Sequence, residues 1–416
     1  MGDIDVVRAS LARVERRAAH VVRYFYAHLF HGRPRLRALF PADMDDQYER
    51  LFAALVQVVD HFDHPGLTGH LERLGRDHRK FGTTDADYAA VGDSLIAAIR
   101  FHSGSLWDED TEGAWQRMYG VAATAMQNGA YRSEAALEPA LWRARVVSHR
   151  LLGGRTAVVQ AVPDAPYHWL PGQYATVTHP RLPGVWRPYS VAGRRGREGV
   201  LEFHVGRVPG GLLSTALCDA TAPGTLLQLG PASGSALAPP PGTPAVTLIA
   251  AGSGWAPVKA VLDELLARRP APRVRIEIAA RTDQDFYDCA HLVGLLQAHP
   301  ALEVHWWYRQ RGEGRVRAAE RLHRHLRARQ DWQTESVYLS GPVMFVHEIA
   351  ELLGECGLPH ESLVRDPLPS SVQPRGYASH AQRLIDPPPV PWIDPDARTR
   401  PLVHDRASAH AETLTA

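Results

Sequence analysis

The spacing of apolar residues changes twice along the chain, and those two changes constrain the fold more than any single motif. Up to about residue 133 proline is sparse, and apolar residues recur three and four apart, as in Leu51, Phe52, Leu55, Val58 and Val59. That is the spacing of helices with one buried face. Thr84-Asp85-Ala86-Asp87 supplies a helix start, with acidic residues in the first turn before Tyr88 and Val91. From Trp142 to about residue 240 the pattern is short β-rich runs (157–159, 174–177, 201–205, 226–229) between Gly/Pro turns, which predicts a small barrel or sandwich. The stretch ALAPPPGT over 236–243 reads as a linker. Beyond Ala245 an apolar strand (246–251), a Gly252-Ser253-Gly254 turn, an amphipathic helix (258–267) and a second strand (274–280) follow one another. This is the order of a parallel α/β domain. The expectation is a multidomain chain: an all-α domain over 1–135, an antiparallel β-barrel domain over 140–240, and an α/β parallel-sheet domain over 245–366. Residues 367–416, with nine of the 32 prolines, are expected to be an extended tail.

Composition excludes several classes. The chain has 416 residues, 45% of them hydrophobic and 22% charged, enough for a core in each domain. Formal net charge is +1, so no global field draws nucleic acid or anionic membrane. Segment 309–329 carries eight arginines and two glutamates, but no aromatics interleave them, and it reads as a solvated face. Nearly all the basic residues are arginine, the exceptions being Lys80 and Lys259. The three cysteines (Cys218, Cys289, Cys356) are odd in number and widely spaced, so a reducing cytoplasm is expected and a disulfide framework is not. The N-terminus has no apolar signal core, and no run approaches a membrane span.

His78, in LGRDHRKFG, is one of 22 histidines and taken alone is a helix-end residue. Its surroundings single it out. The segments YFYAHLF (24–30), RPRLRALF (33–40), DQYERLF (46–52), HRKFGTTDADYAAVGDSL (78–95) and WQRMYGV (115–121) together resemble the globin domain of flavohaemoglobins in order and spacing. The resemblance implies an all-α globin domain holding haem b, with His78 as the axial iron ligand. It implies that Tyr88 supports the proximal site and that Tyr26 is the distal phenol. Gln47 and Leu51, one helical turn apart, become a distal amide and apolar wall, and Phe40 wedges the haem. One departure stands out. The proximal glutamate of the family falls on Arg132 here, with Glu134 two residues away.

Four further motifs follow in order: Arg187-Pro188-Tyr189-Ser190, Gly210-Gly211-Leu212-Leu213-Ser214, Gly252-Ser253-Gly254-Trp255-Ala256-Pro257 and Gly341-Pro342. On a β domain followed by an α/β domain they resemble the ferredoxin-reductase family, and HWWYRQ (305–310) resembles its flavohaemoglobin version. The chemistry suits FAD. Arg187 offers a fork of donors to a pyrophosphate, Tyr189 a face for the isoalloxazine, and Ser190 a hydroxyl for its redox-active edge. Gly210 and Gly211 let backbone amides approach phosphate, Ser214 adds a hydroxyl at a helix start, and Gln173 in PGQY matches a flavin-domain signature. Gly252, Gly254 and Pro257 follow a strand and open a helix, as a nicotinamide dinucleotide requires. Arg281 lies where the adenine ribose would be read, which bears on NADH against NADPH, with NADH favoured. Ser340 stands where many relatives carry cysteine. Asp366 matches a terminal acid, Leu368 the usual aromatic, and Tyr377 or Trp392 in the tail are aromatics that could replace it.

The resemblance implies a cytoplasmic oxidoreductase, a monomer or weak dimer, in which NAD(P)H reduces FAD, FAD passes single electrons to haem, and O2 at the haem converts nitric oxide to nitrate. Two alternatives remain open on the sequence. One is a haem gas sensor or carrier with a slow reductase half; the other is a haem-flavin oxidase fed by another organic donor.

Overall fold

The structure, a computed structural model, describes residues 2–41, 43–193, 199–234, 237–240, 242–308 and 315–366, with the side chains of Asp46 and 315–319 left aside. The proposed tail, with Leu368, Tyr377 and Trp392, lies outside the described residues.

The first module is helical: α1 Asp3–Val14, α2 Ala18–Gly32, α3 Asp45–Asp60, α4 Leu67–His78, α5 Asp85–Ser103 and α6 Glu109–Ala135. The expected start of α5 is present. Both the Thr84 amide and its hydroxyl donate to the Asp87 carboxylate, at 2.9 and 2.8 Å. A core of Val7, Val22, Phe25, Ile99 and Trp115 holds the bundle. Helices α4 and α6 cross with nothing between their backbones. A Cβ on Gly75 would meet the Met126 backbone, and one on Gly129 would meet that of Glu72. This crossing fixes the end of α4, and so His78.

The second module is a closed antiparallel barrel, which settles the choice between barrel and sandwich. Its strands β1 Trp142–Leu152, β2 Thr156–Pro163, β3 Tyr174–Thr178, β4 Arg187–Ala192, β5 Leu201–Gly206 and β6 Leu226–Leu229 run in the order β1-β2-β5-β4-β3-β6, and β6 closes on β1. Helix α7 Leu212–Asp219 sits beside it. Closure leaves no sheet edge.

The third module is a five-stranded sheet ordered β11-β10-β7-β8-β9, with every pairing parallel. The strands are β7 Ala245–Ala251, β8 Arg273–Ala279, β9 Glu303–Trp307, β10 Ser336–Ser340 and β11 Leu363–Arg365. The helices are α8 Trp255–Ala267, α9 Cys289–Ala298, α10 Arg315–Ala328 and α11 Val343–Glu355. Strand order reverses at β7, and a dinucleotide sits outside the strand ends at such a switch point. One expectation needs correction. Helix α8 is not amphipathic: Trp255 through Leu262, Leu265 and Leu266 are all buried. It lies between its own sheet and strands β4 and β5 of the barrel, so both faces are covered.

Candidate haem, flavin and nicotinamide sites

His78 ends α4. Its Nδ1 lies 2.8 Å from the Leu74 carbonyl. A carbonyl only accepts, so Nδ1 carries the proton and Nε2 keeps its lone pair. Burial holds the ring below the usual histidine range, which keeps it neutral near pH 7. The Thr83 hydroxyl donates to the His78 carbonyl at 2.6 Å and pins the helix end. The ring is deep in the protein yet the residue keeps some accessible surface, as expected for the wall of a crevice.

Tyr26 on α2 is only 3% exposed, and Gln47 Nε2 on α3 donates to its hydroxyl at 3.1 Å. Because that oxygen accepts from Gln47, the phenolic proton is free to be donated elsewhere. Burial pushes the phenol well above its ordinary range, so the proton stays on. Phe40 meets Tyr26 edge-on at 5.3 Å between ring centres, and Tyr48, which sequence reasoning passed over, lies 5.5 Å away. Leu51, Phe52, Leu55 and Val56 pack on the same core but remain partly exposed, an apolar wall a flat apolar group would cover. These residues fit a haem.

The proximal departure has a structural counterpart. Arg132 points outward and pairs with Glu72 at 2.8 Å. The Tyr88 hydroxyl is buried and has no hydrogen-bond partner among the described residues. Burial, with the Asp85 charge nearby, pushes it up to about 12. Asp85 itself accepts from Gln127 and Tyr131.

On the barrel, Arg187 and Tyr189 share one face of β4 and Ser190 takes the other, as strand alternation requires. Gly210 has φ +73° and nothing within 4 Å of a would-be Cβ, so the backbone there is bare to an approaching group. The Ser214 hydroxyl is already used: it accepts from the Val208 amide at 3.2 Å and donates to the Gly211 carbonyl at 3.1 Å, shaping the glycine turn. Gln173 is likewise committed, accepting from the Leu170 amide and donating to the Gly234 carbonyl, each at 2.9 Å. Both position the loops. The bare glycine turn and Arg187 fit the pyrophosphate of an FAD, while Tyr189 packs partly buried against the barrel core.

At the strand ends of the third module, Gly252 adopts φ +55°, and a Cβ on Gly254 would stand 2.6 Å from the backbones of Ser340 and Gly341. The two glycine motifs, far apart in sequence, are therefore in contact between β7 and β10. Gly252, Trp255, Ile278, Asp285 and Phe286 line a pocket at the same edge. Arg281 is exposed past β8, Pro257 is buried in α8 and Pro342 is exposed. This edge fits a nicotinamide dinucleotide. Ser340 donates to Asp366 Oδ2 at 2.9 Å, and burial raises Asp366 to about 6.

The joints between modules were not legible from motifs. Lys80 donates to both Asp77 oxygens at 2.7 Å and to Thr176 of β3 at 2.8 Å. Phe81 lies 5.8 Å from the His78 ring and 6.1 Å from that of Trp186, the residue before Arg187. Aromatic contacts thus run unbroken from the histidine to the start of β4. At the other joint Lys259 of α8 pairs with Glu202 of β5 at 2.8 Å and with Asp288 at 3.0 Å.

Comparison with known proteins agrees with this build. Three family patterns match in chain order: Globin over residues 23–126, Oxidoreductase FAD-binding domain over 146–236, and Oxidoreductase NAD-binding domain over 248–351. A Flavohemoprotein of Bordetella pertussis is 27% identical over 380 residues, covering 85% of this chain and 94% of that protein. A Flavohemoprotein of Rhodopirellula baltica is 26% identical over 384 residues, with the same coverage. Among solved structures, a flavohemoglobin from Malassezia yamatoensis with bound FAD and heme shares the fold, with a TM-score of 0.69 and 21% identity over 87% of this chain and 97% of that one. Among the described residues no helix is long and apolar enough to cross a membrane.

Proposed function

The chain is a flavohaemoglobin in its build, a globin joined to FAD- and NAD-binding modules, and from that premise we propose that it uses NAD(P)H to convert O2 and nitric oxide to nitrate. Each nitric oxide takes one O2 and one electron to give one nitrate, so one NAD(P)H serves two turnovers. The flavin supplies the change from two-electron to one-electron chemistry, and the haem supplies the iron at which O2 is held.

The observation that carries the reading is the pairing, in one domain, of an oriented neutral imidazole with a buried donor. His78 Nε2 would be the ligand to the haem iron, its direction set by the Leu74 carbonyl. Tyr26 Oη would donate its proton toward a gas held at the iron, and Gln47 keeps that phenol turned by occupying its acceptor side. Phe40, Leu51 and Tyr48 exclude water from the distal side. Arg187 and the Gly210-Gly211 turn would hold the flavin pyrophosphate, Tyr189 would support the ring system and Ser190 would hydrogen-bond its edge. Gly252, Gly254 and Gly341-Pro342 would hold the dinucleotide, and exposed Arg281 would read the adenine ribose. Phe81 and Trp186 fill the space between His78 and the flavin strand with packed rings.

A nitric oxide electrode with the haem- and FAD-loaded protein in aerated buffer tests the reading. NADH should drive consumption with one nitrate formed per nitric oxide. No NAD(P)H-dependent consumption by a protein that binds both cofactors would favour the sensor or carrier reading, in which Ser340, tied to Asp366, marks a slow reductase half.

A further inference from the structure

Outside the redox path, one buried carboxylate in the third module has two imidazoles directed at the same oxygen. Glu277 of β8 is 1% exposed and stands in register with His305 of β9, so the two side chains leave the sheet side by side. Helix α10 covers that face and brings His325 over them, anchored by the fully buried Leu322 and Leu326. His305 Nδ1 lies 3.2 Å, and His325 Nε2 3.1 Å, from Glu277 Oε1. The other carboxylate oxygen is held by the Trp307 indole N–H at 2.7 Å.

A simple hydrogen-bonded network accounts for His325, whose Nε2–H is aimed at Oε1. His305 Nδ1 is buried and pairs with the same carboxylate oxygen at 3.2 Å, which raises the imidazole above its usual range. The three atoms lie within 4.8 Å of one another. In a tetrahedral zinc site, bonds of about 2.0–2.1 Å place neighbouring ligand atoms roughly 3.3 Å apart, close to the two measured separations. Two imidazoles and a carboxylate are also the ligand types that borderline divalent metals select. The Trp307 bond does what an outer partner of a ligating carboxylate does, fixing its rotation by holding Oε2 and leaving Oε1 to the two imidazoles.

We propose that Glu277 Oε1, His305 Nδ1 and His325 Nε2 form a binding site for a divalent transition metal of the zinc class. The site ties α10 to β8 and β9. The His305 and His325 side chains are 36% and 24% exposed, which leaves solvent a route to a fourth position. Binding displaces the proton on His325 Nε2, so it releases acid and weakens as the histidines protonate at low pH.

The full-length, haem- and FAD-loaded protein is treated with chelator, given zinc chloride, dialysed against zinc-free buffer and assayed for zinc by mass spectrometry. The parent is expected to retain one zinc per chain and to gain thermal stability from it. His305→Gln and His325→Gln should each lose both the metal and the gain, with haem and FAD content unchanged. No retained zinc in the parent, or equal retention in both variants, overturns the proposal. Should the variants fold poorly, zinc-edge X-ray absorption of the loaded parent decides: two imidazole nitrogens and a carboxylate oxygen are expected, and sulfur ligation or a purely aqueous shell overturns the site.

Discussion

Gly254→Ala is the sharpest test of the nucleotide edge. A Cβ at Gly254 would lie 2.6 Å from Gly341 N and from the Ser340 carbonyl carbon and oxygen, where ordinary contact begins at 3.4 Å. Every blocking atom is backbone, so no side chain can swing away. The loops after β7 and β10 must part by about 0.8 Å. Overpacking of this kind costs about 1–3 kcal/mol, and the displacement falls between the two loops that are to hold the dinucleotide. If most of that cost is met on binding, the dissociation constant for NADH rises roughly 5- to 150-fold. The assay is stopped-flow flavin reduction against NADH concentration, with haem and FAD absorbance as loading controls. Gly294→Ala is the comparison, since a Cβ on this α9 glycine meets nothing within 4 Å. It should be neutral or stabilise by up to about 1 kcal/mol, with NADH affinity unchanged. An unchanged NADH constant in Gly254→Ala would refute the reasoning.

Other outcomes follow from the same geometry. His78→Ala should abolish a normal haem Soret spectrum while FAD absorbance remains; an unchanged Soret band would remove His78 as the ligand. Tyr26→Phe should speed loss of bound O2 roughly 2- to 13-fold, because one donor hydrogen bond is worth about 0.5–1.5 kcal/mol net; flash photolysis gives the rate, and parent-like release would place Tyr26 outside the distal pocket. Asp366 has a folded-state pKa of about 6 against an ordinary 3.8. The stability tied to its protonated form is therefore fully present below the ordinary value and is lost as pH rises through about 6, at most about 3 kcal/mol. Asp366→Asn should raise the melting temperature relative to the parent more at pH 8 than at pH 5, and an equal difference at both would contradict this.

The architecture was legible because each module has its own pattern: a 3.6 period in the segments around Leu51 and Leu55, short β-rich runs between Gly/Pro turns from Trp142, and continuous apolar strands from Ala245. Motif residues were legible where their role is local. The Gly252-Ser253-Gly254 turn is set by the strand before it and the helix after it. What stayed hidden depends on pairing across modules. Nothing near Lys80 or Lys259 in sequence reveals that the chain's two lysines are both buried at module joints, with side chains 2% and 9% exposed. Helix α8 read as amphipathic because its second partner, the barrel, comes from another module. The hydrogen bonds by which Ser214 and Gln173 also shape the protein's own turns could not be read from their motifs. The Glu277 cluster draws on β8, β9 and α10, separated by enough sequence that no spacing rule applies.

The central claim is that electrons from a nicotinamide cross the whole chain to the globin. Anaerobic stopped-flow absorbance of the FAD- and haem-loaded protein, mixed with NADH and separately with NADPH, tests it most directly. Flavin bleaching is expected first, and a ferric-to-ferrous haem shift after it. Oxidised flavin and a stable ferric spectrum with both nucleotides would contradict it.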